Sequence, residues 1–303
     1  MTSYSRSISG NLVYTLTPDR LELEGFLSQP EKEREPLVLL FIHGMYENFS
    51  MPLFIDPLAR QITSNGHHLL TVNTRAQDYF YYYRKWKSKN SFKWVQEGGS
   101  YEIFSNCLLD IEGWLNFCEN LGKQVVLIGH SHGALKAAYY MAQRSKDTRI
   151  RGLILLSPSD DIGGQKQRLV KRYDEALKVA KEMVNAGKEK NLMPEWVYGQ
   201  PLSAEMYVDM FSTKSDLAMF RYDEPSEGFA SFSKIKLPTL AIFGSKDKAT
   251  INVTSKEALV IIKKALPNIK NFTGKIIEDA NHHYLNKEEK LVSIVSKWFN
   301  DSA

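Results

Sequence analysis

Six apolar runs limit what this chain can become. "LVLLFI" at 37–42, "HLLTVN" at 68–73, "VVLIGH" at 125–130, "GLILLS" at 152–157, "TLAIFG" at 239–244 and "KIIEDA" at 275–280 are each short and built around consecutive apolar residues. Runs of that length without polar alternation suit strands covered on both faces. Stretches with helical periodicity lie between them, and strand alternating with helix argues a parallel sheet layered by helices on both sides. Ahead of the first run, Asn11 to Leu27 alternates weakly around Pro18-Asp19, which suits an antiparallel hairpin at the sheet edge.

The spacing is regular except between Ser157 and Pro238, where about eighty residues separate two strands. Within this insertion, Leu169, Tyr173, Ala176, Leu177, Ala180 and Val184 recur at helical steps, so Lys166 to Lys190 reads as an amphipathic helix. The organisation expected is a core formed by 1–157 and 238–303, with 158–237 as a helical cap lying over the strand ends.

Composition narrows the partners. At 43% hydrophobic and 24% charged residues the chain is ordinary for a globular protein. Thirty-nine basic against 35 acidic residues leave only +4, with no basic block long enough to follow a phosphate backbone, so no nucleic-acid partner is expected. Cys107 and Cys118 fall eleven residues apart in one expected helix, roughly 16 Å along its axis, too far to pair. With no apolar signal core in "MTSYSRSISGNLVYTL" and no apolar run near the length of a membrane span, the chain reads as cytoplasmic. No feature marks an oligomer interface.

The chemistry concentrates in "LIGHSHGAL", residues 127–135. A bare G-x-S-x-G arises by chance in on the order of one chain in ten or twenty of this length, so context must decide. Here a buried strand runs in from the left and "GALKAAYYMAQR" continues as a helix. A serine on so sharp a strand-to-helix turn needs residues without Cβ two places before and after it, and Gly129 and Gly133 supply them. Ser131 is thereby expected at the C-terminal edge of the sheet and at a helix N-terminus that favours developing negative charge.

A serine nucleophile needs a base, and the base an acid. Of the seven histidines, His130 and His132 flank Ser131 on a turn that points them away from it, His67 and His68 precede a strand, and His43 begins another turn. His282 and His283 remain, in the last loop before the final helix.

The order serine, acid, histidine, with the histidine in the final loop, resembles the α/β-hydrolase family. "IEDANHHY" resembles the ending of the family's last strand and implies His282 as base, with His283 as the alternative; Asp279 stands where glycine is commoner. "LAIFGSKDK" resembles the segment that carries the acid and implies Asp247, while "LLSPSDD" offers Asp160 or Asp161 in its place. "FIHGMYEN" resembles the family's oxyanion turn and implies the backbone amides of Met45 and His132 as donors. "GGSYEIFSNCLLDIEGWLNF" and "LSPSDDIGG" further resemble a branch that includes fungal esterases acting on hydroxamate siderophores. The resemblance spans about residues 10–300. It implies a mostly parallel eight-stranded sheet with helices on both faces and a helical cap. It also implies a serine hydrolase that cleaves a carboxylic ester of a small or medium-sized molecule through an acyl-enzyme, without metal or organic cofactor.

The same site also serves thioesterases, amidases, lactonases and acyltransferases, and a non-catalytic binding protein can keep such a triad. The aromatic stretch "DYFYYYRKWKSKNSFKW", 78–94, reads equally as pocket lining or as packing over the sheet edge.

Overall fold

A computed structural model describes residues 8–212, 215, 218–267 and 269–302. Residues 1–7, on which part of the leader reading rests, lie outside the described residues. In chain order the elements are β1 (Asn11–Leu16), β2 (Glu22–Ser28), β3 (Leu37–Ile42), α1 (Ile55–Ser64), β4 (His68–Val72), β5 (Tyr81–Ser88), β6 (Ser91–Glu97), α2 (Cys107–Asn120), β7 (Gln124–His130) and α3 (His132–Gln143). They continue with β8 (Ile150–Leu156), α4 (Asp161–Leu169), α5 (Tyr173–Asn185), α6 (Ala204–Phe211), α7 (Pro225–Gly228), β9 (Thr239–Gly244), α8 (Ser255–Ala265), β10 (Phe272–Ile277) and α9 (Glu288–Ser302).

Eight strands form one sheet in the order β1-β2-β4-β3-β7-β8-β9-β10. Only the pairings of β2, with β1 and with β4, are antiparallel; those from β4 to β10 are parallel. The apolar runs are buried because helices cover both faces, and alternate residues go to opposite layers. Val38, Leu40, Ile42, Val125, Leu127, Leu153 and Leu155 pack on one side with residues of α2, α3 and α8. Leu39, Phe41, Val126, Ile128, Ile154 and Leu156 pack on the other with α1 and α9. The eight-stranded, mostly parallel sheet expected from the sequence is therefore present.

Three local features differ from the expectation. The last strand runs from Phe272 to Ile277 rather than over 275–280, because its register follows β9, from Phe272 opposite Thr239 to Ile277 opposite Gly244. It is an edge strand with half-exposed residues at its start, so its first half lacks the apolar signal of a central strand. Lys166 to Lys190 is not one helix: Val170 takes a left-handed φ of 48° and separates α4 from α5. A straight helix of that length would be about 37 Å long; the break lets α4 bury Ile162 and Leu169 and α5 bury Ala176, Leu177 and Ala180, both against α6.

The aromatic stretch folds as a two-stranded ribbon, β5–β6, turning at Lys89-Asn90. It is held against the start of β2 and the end of β4, with the Trp86 indole donating to Glu22 and the Tyr83 hydroxyl to the carbonyl of Thr74. Cys107 and Cys118 are buried free thiols on α2. Among the described residues no helix is long and apolar enough to cross a membrane.

Candidate active site

The turn between β7 and α3 brings three backbone segments together. Ser131 has φ 54° and ψ −125°, a conformation that costs an L-residue about 1–3 kcal/mol and persists only where its surroundings enforce it. Its amide donates to the Leu156 carbonyl of β8 at 2.9 Å. A Cβ on Gly129 would overlap the Gly133 carbonyl, and one on Gly133 would overlap the carbonyls of Ile42 and His43 at the end of β3. Both glycines are thus required by close backbone approach, as the spacing implied.

The hydroxyl of Ser131 meets His282. Ser131 Oγ lies 2.9 Å from His282 Nε2, and His282 Nδ1 lies 3.0 Å from Asp247 Oδ1. A carboxylate only accepts, so Nδ1 donates to Asp247 and leaves Nε2 free to accept from serine. The three side chains come from loops after β7, β9 and β10; β9 and β10 are neighbours, and β8 stands between β7 and β9. The loops are tied together: Ser245 N donates to Ile277 O and Lys246 N to Ala280 O, both at 2.9 Å. Asp279 has φ +60°, which explains why glycine suits that position. Asp247 is buried; burial pushes its carboxyl up, but the hydrogen bond and charge of His282 bring it below the ordinary carboxylate range. Its Oδ1 also accepts the Ala249 amide at 2.9 Å.

The turn after β3 packs directly on Ser131, where a Cβ on Gly44 would stand 3.4 Å from the serine Cβ. His43 is buried there, donating from Nδ1 to Gly44 O and accepting the Thr74 amide at Nε2. Burial, with the Lys136 charge, depresses it to about 4, so the ring is neutral. Among the described residues the amides of Met45 and His132 carry no hydrogen bond within the protein.

The other candidates go elsewhere. Asp160 caps α4 through the Gly163 amide at 2.7 Å and accepts from Tyr222 N at 3.1 Å; burial and neighbouring Asp223 push its carboxyl up to about 7. Asp161 accepts from His132 Nδ1 at 2.8 Å, and His283 is exposed, 3.8 Å from Glu47. None of the three meets Ser131 or His282 by hydrogen bond.

Two participants in the surroundings escaped the sequence reading. Glu102 and Lys136 are fully buried, and with Asp161 they enclose His132. Glu102 Oε2 is 3.1 Å from His132 Nε2, and Lys136 Nζ donates to Glu102 Oε1 at 2.7 Å. Both ring nitrogens of His132 face carboxylates, an arrangement that favours the protonated ring. Burial opposes that charge, and Glu102 and Asp161 raise its pKa in spite of it. Burial would likewise raise Glu102, yet Lys136 and His132 hold it at about 2. The readable signal was a lysine four residues after His132 on an otherwise apolar helix: the two share a face.

Over these loops lie residues of the 157–238 segment. The Tyr198 hydroxyl is 3.8 Å from the Met45 sulfur, and the Tyr79 hydroxyl donates to Gln200 while its ring stacks on Tyr46 at 4.5 Å. A cavity of about 340 Å³ opens beside Asp161, between Gln165, Arg168, Tyr198 and Ile251.

No curated protein matches the chain by sequence. Solved structures do resemble it. The siderophore hydrolase EstB from Aspergillus fumigatus has a TM-score of 0.72 at 16% identity, over 98% of each chain. DcsB, solved in complex with its substrate analogue, has a TM-score of 0.67 at 13% identity, over 97% of this chain and 99% of its own. Est1E from Butyrivibrio proteoclasticus has a TM-score of 0.62 at 20% identity, over 97% of this chain and 99% of its own. At such identities the likeness is one of fold, and that fold is the α/β hydrolase. A family profile described as "Protein of unknown function (DUF1749)" matches residues 110–299. That span covers the serine turn, residues 158–237 and the loops of Asp247 and His282, and the chain belongs to this family, built on the α/β-hydrolase fold.

Proposed function

We propose that the chain is a serine hydrolase that cleaves a carboxylic ester of a small or medium-sized molecule. The observation that carries the reading is the continuous chain Ser131 Oγ, His282, Asp247, at 2.9 and 3.0 Å, on a backbone turn beside two uncommitted amides. Ser131 Oγ attacks the acyl carbon as its proton passes to His282 Nε2. The oxyanion is taken by the amides of Met45 and His132, and removal of one such donor typically costs roughly 3 kcal/mol of barrier. His282 then protonates the leaving alkoxide, and water repeats the sequence on the acyl-enzyme. Asp247 holds the imidazole tautomer and balances the imidazolium.

Residues 158–237 act as a cap in this reading, with Tyr198 and Gln200 reaching over the oxyanion turn and the Asp161 cavity receiving part of the substrate. An ester substrate accords with the fold's neighbours, among them a siderophore hydrolase and an esterase.

Intact mass after incubation with a fluorophosphonate, which phosphonylates activated serines, tests the reading. One adduct on the wild type and none on Ser131→Ala is expected, followed by turnover of short-chain p-nitrophenyl esters. Folded wild type that takes no adduct would overturn it.

A further inference from the structure

Beside the triad, and outside it, stand Glu47, His130 and His283, whose donor atoms all lie within 4.8 Å of one another. His130 is fully buried and donates from Nε2 to the carbonyl of His282 at 3.0 Å. Metal-ligating imidazoles are ordinarily held in this way, by the ring nitrogen that does not bind. The other nitrogen, Nδ1, stands at ion-pair distance from Glu47 Oε2, 3.5 Å, longer than an ordinary hydrogen bond, and has no closer polar partner among the described residues; the same Oε2 accepts the Gly44 amide at 2.8 Å. Glu47 Oε1 lies 3.8 Å from Nδ1 of His283, whose side chain is 59% exposed. A buried nitrogen held in orientation and a solvent-facing imidazole thus flank one carboxylate, each facing a different oxygen of it.

We infer that Glu47, His130 and His283 form a binding site for a single transition-metal dication of the Zn²⁺ type. Two imidazoles and a carboxylate with a position left for water are a donor set that zinc takes, whereas Ca²⁺ and Mg²⁺ ask for more oxygen. In a tetrahedral shell with bonds of about 2.1 Å the donors stand about 3.4 Å apart. Glu47 and His130 are already at that spacing. The adjustment falls on His283, at the surface, where a side-chain rotation is cheap. The ion takes no part in acyl transfer, since His282 faces Ser131. It joins the turn that bears Met45, through Glu47, to the loop that bears His282.

Equilibrium dialysis of the untagged chain against Zn²⁺, with thermal melts, tests the site. The wild type should hold one Zn²⁺ per chain and melt at a higher temperature with it. His283→Ala, exposed and harmless to the fold, and Glu47→Gln should each bind at least tenfold more weakly, and His283→Ala should lose the Zn²⁺-dependent rise. Ser131→Ala should bind like the wild type, so the result does not depend on the proposed reaction. No binding by the wild type, or equal binding by His283→Ala, would overturn the inference.

Discussion

Asp247→Asn isolates the charge behind the imidazole while keeping its shape. In the native site the carboxylate oxygen is 3.0 Å from His282 Nδ1, the Asp247 side chain is wholly buried and that of His282 is 23% exposed. With the charge centres about 4 Å apart and an effective dielectric near 20, the attraction to an imidazolium is about 4 kcal/mol. At roughly 1.4 kcal/mol per tenfold, losing it should slow the proposed acyl transfer about a thousandfold. The amide oxygen of asparagine can still accept from Ala249 N, so the loop that now rests on that bond should stay in place. Turnover of a p-nitrophenyl ester and the rate of fluorophosphonate labelling should fall together, with little change in Tm. A loss below tenfold in the folded variant refutes the argument. Near-native turnover in Asp247→Asn with collapse in Asp160→Asn or Asp161→Asn would move the acid to the loop after β8.

Other outcomes follow from the same geometry. Ser131→Ala and His282→Ala should each lose several orders of magnitude in turnover, and the double variant should be little worse than either; additive losses would mean that the two do not act as a unit. Gly133→Ala drives a methyl into the carbonyls of Ile42 and His43 and should cost about 3 kcal/mol in urea unfolding; an unchanged midpoint would contradict the close approach. His43 is depressed from 6.5 to about 4 in the fold, so its contribution is present above pH 6.5 and is lost as pH falls through 4. That shift corresponds to roughly 3 kcal/mol. Unfolding measured from pH 7 to pH 4 should be less acid-sensitive in His43→Gln, and parallel curves would show that the buried neutral ring plays no such part.

What the sequence by itself determined is the local chemistry of backbone and burial. Apolar runs such as "LVLLFI" and "VVLIGH" must be covered on both faces, whatever covers them, and that alone implies a layered parallel sheet. Likewise Gly129 and Gly133 around Ser131 state a steric need within a few residues of chain. Signals of this kind are read from neighbours in sequence. The β5–β6 ribbon is not legible in this way: its aromatic residues suggest pocket lining or packing, and they foretell neither the pairing nor its attachment to Glu22.

Only the tertiary structure decided which distant side chains meet. Asp160, Asp161 and Asp247 are all acids just after strands, and the chain's local pattern does not rank them by distance to His282. Packing does, by ending β9 and β10 side by side, so that Asp247 reaches an imidazole 35 residues away. The burial of Glu102 and Lys136 around His132, the break at Val170 and the register of β10 are of the same kind. Each balances a local preference against partners supplied by remote segments: charges for a buried lysine, an α6 surface for two half-helices, β9 for an edge strand. Those partners exist only once the chain has folded, because charge pairing and strand register depend on separation in space, to which sequence separation is a poor guide.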